Sequence, residues 1–333
     1  MVVFAAFLAL ATLKGPGPTA PVTPKLGQTH FIETPEVLSI SAQPGGHLFL
    51  ATFMDSSVRI YDAVTLKKIK VFRGHPFPAH ACAWSRDGKF IATGDESARV
   101  FVWSLATGQR VAQFRVHTRG IENLSFNQDG SLLLSTGQDD VLKIYDLATK
   151  KVLRSIDSNG AGIYGGVFAP RVNIFAVASL KESARIYSPT GTVMWTMNSN
   201  SGGAFDCDYN AAGTLLITAG KDGNLVLWDA KDAKRLGTLR GHEDQVLHTA
   251  MAPSGRVAAS SSDDRSVRVW DTKTFKQIGL LEQQYSQGSP VRFTGDGKYL
   301  LSADISNRLE VTPIIPAQPA PEPAKVVRKR RRR

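Results

Sequence analysis

Seven copies of one pattern predict an all-β protein, a seven-bladed β-propeller of four-stranded antiparallel blades with the last blade closed by an N-terminal strand. Three observations carry the prediction. An aromatic residue or its stand-in recurs at Tyr61, Trp103, Tyr145, Tyr187, Trp228, Trp270 and Thr312, in steps of 42, 42, 42, 41, 42 and 42 residues, a spacing typical of propeller blades. Fifteen residues before each of these stand Gly46, Gly88, Gly130, Val172, Gly213, Gly255 and Gly297; glycine is what a hairpin turn with positive φ requires. Within each copy, short β-branched runs alternate with Gly, Asp and Ser turns, as strands joined by hairpins do.

The clearest copy is residues 239–271. It opens on Gly241-His242, runs through an apolar segment at 246–251, and turns at Pro253-Ser254-Gly255. A second run at 257–260 leads to a turn at Asp263-Asp264-Arg265, and Val267 to Asp271 closes the unit. Such a unit cannot bury both of its apolar faces alone, so its neighbours must stack on it.

On these residues the chain resembles the WD-repeat (WD40) propellers, with Trp-Asp at 228–229 and 270–271 and Tyr-Asp at 61–62 and 145–146. The resemblance covers about residues 26–312. It implies a hydrogen-bonded set in which a histidine joins a turn Asp, a strand hydroxyl and the Trp. That set maps onto His242, Asp264, Ser260 or Ser262, and Trp270, and more weakly onto His117, Asp139, Ser135 or Thr136, and Tyr145. In the His75 repeat the Asp position holds Ser97, which leaves the set incomplete; Asp55 and Asp222 keep the Asp without the His. Each member of such a set must find a partner, because a buried polar group left unpaired costs about 1–3 kcal/mol. The fourth repeat diverges most, with Val172 at the glycine position, Lys181 at the Asp position and Ser188 after the aromatic.

Outside the repeats the chain divides into three segments. Residues 1–13 form an apolar leader whose run from Met1 to Ala11 has the length of a signal-peptide core, though no Lys or Arg precedes it. If it is a signal, the protein is exported or periplasmic; if not, it is cytoplasmic. Thirteen residues cannot span a bilayer as a helix, so no transmembrane helix is expected. Residues 14–25 read as a Pro/Gly-rich linker, and 313–333 as a Pro-rich, polybasic, disordered tail. Of the formal net charge of +11, the tail contributes +6, so basicity is largely a tail property. The run from Lys325 to Arg333 could hold nucleic acid or an anionic surface. It contains no aromatic residue for base stacking.

Register also predicts how the ring closes. Pro313 and Pro316 forbid an outer strand after Thr312, so the segment from Leu26 to Ile32 supplies the fourth strand of the last blade. The two cysteines, Cys82 and Cys207, fall at a mostly apolar register position in the first strands of blades three apart, which argues against a disulfide.

Phosphate loops of the Walker type, His-Glu-x-x-His, Cys-x-x-Cys and Gly-x-Ser-x-Gly motifs are all absent from the sequence. Asp206 and His248 share a register in adjacent blades, with Asp208 two residues on. On a channel-facing strand they could hold a metal or a proton-transfer site, or simply satisfy neighbouring backbone. No cofactor is expected.

The function that follows is a non-enzymatic scaffold, a monomeric ring presenting a rigid face to protein partners, because loops on a rigid frame carry specificity. Register places Met54, Phe77, Arg119, Gln138 and Lys221 on the face made by outer-to-inner and second-to-third strand connections. Tyr164 and Phe205 fall near the channel mouth. The alternatives are a hydrolase- or lactonase-like propeller enzyme with a polar site at the channel, and an adaptor for nucleic acid or anionic surfaces working through the tail.

Overall fold

The computed structural model describes residues 23–115, 117–282, 289–304 and 306–316. The expectations for the apolar leader and the polybasic tail lie outside these residues.

The described chain is all β. Six sheets have four antiparallel strands joined in sequence order, and the seventh has five. Blade 1 comprises Val37–Ala42, Leu48–Phe53, Val58–Asp62 and Lys68–Phe72. Blades 2 to 6 repeat the plan over residues 79–115, 121–157, 163–197, 204–239 and 246–282. Middle strands such as Phe90–Asp95 and Val257–Ser262 are buried almost throughout because neighbouring blades cover both faces. Outer strands such as Lys151–Asp157 are mostly exposed. The first strand of each blade packs on the first strand of the next, and that of blade 7 returns to blade 1, so these strands ring a central channel.

The glycine register holds with two departures. Gly88, Gly130, Gly213, Gly255 and Gly297 all have positive φ, near 70°. In blade 1 the left-handed residue is Gly45 (φ 68°) rather than Gly46. In blade 4 the turn that holds Val172 has no residue with positive φ, so a β-branched side chain fits there without strain.

Blade 7 combines Arg292–Phe293, Tyr299–Ala303 and Arg308–Ile315 with two N-terminal strands, Lys25–Leu26 and His30–Glu33. Both N-terminal strands pair antiparallel with Arg308–Ile315, through Lys25↔Ile315 and His30↔Val311. The third strand of this blade thus continues past Thr312 to Ile315. Pro313 is tolerated because its carbonyl, and with it the missing N–H, faces the N-terminal segment, where Gly27 N–H donates to Pro313 O at 2.7 Å. The N-terminal pairing breaks at this point, between Leu26 and His30. Within the break the Thr29 and Thr312 hydroxyls bond each other at 2.8 Å.

The candidate docking face and the hydrogen-bond sets beneath it

The ring has two faces. On the loop face, the first residue of the second-to-third turn in five blades bonds the preceding outer-to-inner connection, as Met54 N–H does to Glu36 O at 3.0 Å, Gln138 to Gly120 at 2.9 Å, and Lys221 to Gly203 at 3.0 Å. These links make neighbouring loops one rim. On the opposite, turn face, third-to-fourth turns bond first-to-second turns in the same way, as Ala63 N–H does to His47 O.

Below the rim, in blade 6, Trp270 Nε1–H donates to Ser260 Oγ at 2.8 Å, and Ser260 lies 2.8 Å from His242 Nε2. His242 Nδ1 reaches Asp264 Oδ2 at 2.7 Å, and that oxygen also accepts Glu243 N–H at 3.1 Å. A carboxylate on Nδ1 fixes the proton there, so the hydroxyl donates to Nε2 and accepts from the indole. The chain of donors runs one way, from the core to the loop. Ser262 instead donates to Asp244 O, which decides between the two serines.

The same plan recurs with substitutions. In blade 3, His117 bonds Asp139 at 2.8 Å and Ser135, not Thr136, at 2.7 Å, and Asp139 accepts Thr118 N–H at 2.8 Å. The Tyr145 hydroxyl is buried on the Ser135 side of the set, and burial raises its pKa against the opposing effect of Ser135. In blade 5, Asn200 stands in for histidine. Its amide donates to Asp222 at 3.3 Å and its carbonyl accepts from Thr218, which accepts Trp228 Nε1–H at 3.1 Å.

Blade 2 corrects the expectation that Ser97 leaves the His75 set incomplete. Asp95, two residues earlier, bonds His75 Nδ1 at 2.9 Å; Thr93 bonds Nε2 at 2.6 Å and accepts Trp103 Nε1–H at 3.0 Å. Ser97 supports the carboxylate through its N–H and its hydroxyl. Register alone could have found Asn200, twenty-eight residues before Trp228. Asp95 sits off register, so only its proximity to the histidine position in space reveals it.

Electrostatics follow from this geometry. Burial lowers the pKa of His117 and His242 against the opposing pull of their aspartates. Burial alone would raise Asp95, Asp139 and Asp264, but hydrogen bonds from histidine, hydroxyls and backbone carry each below the usual carboxylate range.

On the rim, Met54, Phe77, Arg119, Gln138 and Lys221 are all exposed. Tyr164 and Phe205 meet edge-to-face with ring centroids 5.3 Å apart. With Glu122, Asn123, Leu247 and His248 they line a pocket of about 240 Å³ at the channel mouth. His80, bonded to Glu96 at 2.8 Å, extends the polar part of this rim; neither residue stands out in the sequence.

Deeper in the channel, Asp206 accepts backbone N–H groups from Cys207 at 2.9 Å and Thr249 at 3.1 Å. Asp208 accepts those of Tyr209 and Met251, each at 2.9 Å. Both carboxylates therefore clip blade 5 to blade 6, as the Ser41 and Ser125 hydroxyls do for Trp84 N–H and Phe168 N–H between other blades. Arg292 lies 3.8 Å from Asp206, and His248 lies 4.0 Å from it. Burial raises both aspartates, Asp208 to about 6. Among the described residues no three His, Cys, Asp or Glu side chains converge as metal ligands would. Cys82 and Cys207 are free and buried.

A family model described as WD domain, G-beta repeat, matches residues 66–104, 108–146, 191–229 and 233–271. The chain is a WD40-repeat propeller. It is 26% identical over 246 residues to the WD repeat-containing protein srw1 of Schizosaccharomyces pombe, covering 71% of this chain and 43% of that protein. Over 234 residues it is 26% identical to Transducin beta-like protein 3 of Bos taurus, covering 65% and 29% respectively. It is 28% identical over 223 residues to Mitochondrial division protein 1 of Saccharomyces cerevisiae, covering 61% and 28%. The chain thus spans less than half the length of each of these relatives. The matched repeats include all three Trp-containing sets, whereas blade 4 up to Tyr187 lies outside the match.

Proposed function

We propose that this WD40 propeller is a non-enzymatic scaffold that binds a protein partner on its loop face, around the channel mouth. The observation that carries the reading is the Tyr164–Phe205 pair, half-exposed and edge-to-face on two adjacent first strands. Aromatic side chains lose little conformational entropy on docking and dominate interface energies. Phe77, 47% exposed, and Met54, also 47% exposed, add apolar contacts on the same rim. The sets beneath hold the loops still before a partner arrives, which lowers the cost of binding. The engagement of Asp206 and Asp208 by backbone donors supports a structural role for the channel carboxylates over a catalytic one.

The test is site-specific photo-crosslinking in cells, with the probe at Phe205 and, as the control, at Thr107 on the turn face. A discrete adduct at Phe205 that disappears in Tyr164→Ala supports the reading. Adducts only at Thr107, or at neither site, would oppose it.

A further inference from the structure

The turn-face half of the channel holds a second cavity, independent of the loop-face reading. Its volume is about 240 Å³. Asp208 and Arg292 line it from their first strands, and Pro44, Arg86, Pro253 and Gly295 border it from first-to-second turns. Those turns sit on the turn face, so the cavity opens there. Pro44 and Gly295 also meet in an isolated bridge that joins the turns of blades 1 and 7, which fixes that side of the rim.

Arg86 is out of keeping with its register. It stands seventeen residues before Trp103, where the other six blades hold Pro44, Gln128, Pro170, Ala211, Pro253 and Gly295, none of them charged. Its Nε–H is buried with no hydrogen-bond partner among the described residues. The adjacent Asp87 is taken by Lys89 and by the Ser85 hydroxyl. The carboxylate that acts on Arg86 is Asp208, three blades away and beyond ion-pair distance, and burial lowers the Arg86 pKa in spite of it. Two further donors are in the same state. Trp84 and Tyr209 line the cavity, and Trp84 Nε1–H and the Tyr209 hydroxyl are buried without a partner among the described residues. Arg292 differs, since its Nη1 donates to Thr249 O at 2.9 Å and Val291 O at 3.0 Å, and Asp206 and Asp208 both favour its charge.

A buried guanidinium without a counter-charge is costly, and it is the group that takes a carboxylate through two parallel N–H···O bonds. We infer that the turn-face end of the channel binds a small monocarboxylate, with its carboxylate on Arg86 and its hydrocarbon part against the apolar wall. Ala83, Val167 and Met251 supply that wall. Asp208 lines the same cavity and repels a second negative charge, which disfavours a phosphate dianion. The volume falls below that of sites for drug-sized ligands, so the acid is a short one.

The experiment is isothermal titration calorimetry of the full chain at neutral pH with sodium butyrate, sodium phosphate and butyramide, the last having the shape of butyrate without its charge. Butyrate should bind saturably, one per chain. Butyramide should bind at least about tenfold more weakly, since a hydrogen bond to a charged group contributes more than one between neutral groups. Arg86→Gln should lower butyrate affinity about tenfold or more. The melting temperature of the free protein should not change, because blade 3 already carries Gln128 in this register. If the variant does not fold, the comparison of butyrate with butyramide on the unaltered chain decides alone. The inference is overturned by no saturable binding of butyrate, by equal binding of butyramide, by wild-type affinity in Arg86→Gln, or by phosphate binding more tightly than butyrate.

Discussion

Asp95 holds the imidazole of His75 at 2.9 Å from the end of a strand, where blades 3, 5 and 6 take the equivalent carboxylate from the turn two residues further on. The residues in register with Asp95 are Gly137, Gly220 and Ser262. A Cβ at Gly137 would lie 2.3 Å from His117 Nδ1 and 2.6 Å from Asp139 Oδ1. In blade 6 Ser262 carries a Cβ at this register beside an intact His242–Asp264 pair, so the close approach is a property of how blade 3 packs its own histidine and aspartate. Asp95→Ala should destabilise by about 2–3 kcal/mol, since it orphans a buried imidazole N–H. Ser97→Ala, which removes only support for the carboxylate, should cost about 1 kcal/mol. Urea unfolding midpoints separate the two, and equal losses would refute the assignment of Asp95 as the histidine partner.

This crowding makes Gly137→Ala a test in blade 3. The added methyl has no space unless the His117–Asp139 pair gives way. A loss of about 1–3 kcal/mol is expected. Hydrogen exchange should rise selectively at Thr118 N–H, which Asp139 accepts.

How much of this was legible in the sequence depends on whether a feature lives in register or in space. The blades, their hairpin glycines and the closing strand follow a fixed spacing, and the chain states them directly. Asp95 breaks the spacing, and Asn200 keeps it but changes residue type, so neither fits the family's His and Asp pattern. Ser260 could be told from Ser262 only once strand register showed which hydroxyl faces the histidine. The continuation of the last strand through Pro313 was hidden for a different reason. A proline is permitted wherever its nitrogen faces a gap in the pairing, and no local pattern announces that gap.

Closure itself predicts an asymmetry between two deletions. Removing 26–32 strips strand pairing from Arg308–Ile315 and the Leu26 side chain from its contact with blade 6. It exposes a long edge at the ring's one seam. Thermal unfolding should fall by on the order of 10 °C and aggregation should follow. Deleting 1–20 should leave the melting temperature within about 2 °C of the full chain.

Titration should reveal two opposing groups of residues. His117 and His242 have lowered pKa values in the fold, so their contribution to stability is complete above the unfolded histidine value near 6.5 and is lost as pH falls. Asp208 is raised to about 6, so its contribution has the other sign: present below the unfolded value near 4 and lost as pH rises through 6. His242→Gln should therefore flatten the acid limb of the stability curve. Asp208→Asn should cost less at pH 7 than at pH 4, by on the order of 1 kcal/mol.

Backbone strain in the second-to-third turns offers a gain in stability instead of a loss. Ser56, Ala98, Asp140, Arg265 and Asn307 occupy one register and all have φ between 58° and 64°; blade 5 has Gly223 there, at 75°. A side chain with a Cβ in the left-handed region costs about 1 kcal/mol or more. At Ala98 the buried methyl returns part of that cost, whereas the Arg265 side chain is exposed and returns little. Asp140 differs again, because its carboxylate accepts Ile163 N–H from the next blade. Arg265→Gly should therefore stabilise the fold by up to about 1 kcal/mol, the relief of strain being partly offset by the greater freedom of glycine in the unfolded chain. Asp140→Gly should not, because the lost bond to blade 4 cancels the same relief. Chemical denaturation of the two variants side by side checks the difference, and a loss in Arg265→Gly would show that this turn stores no strain.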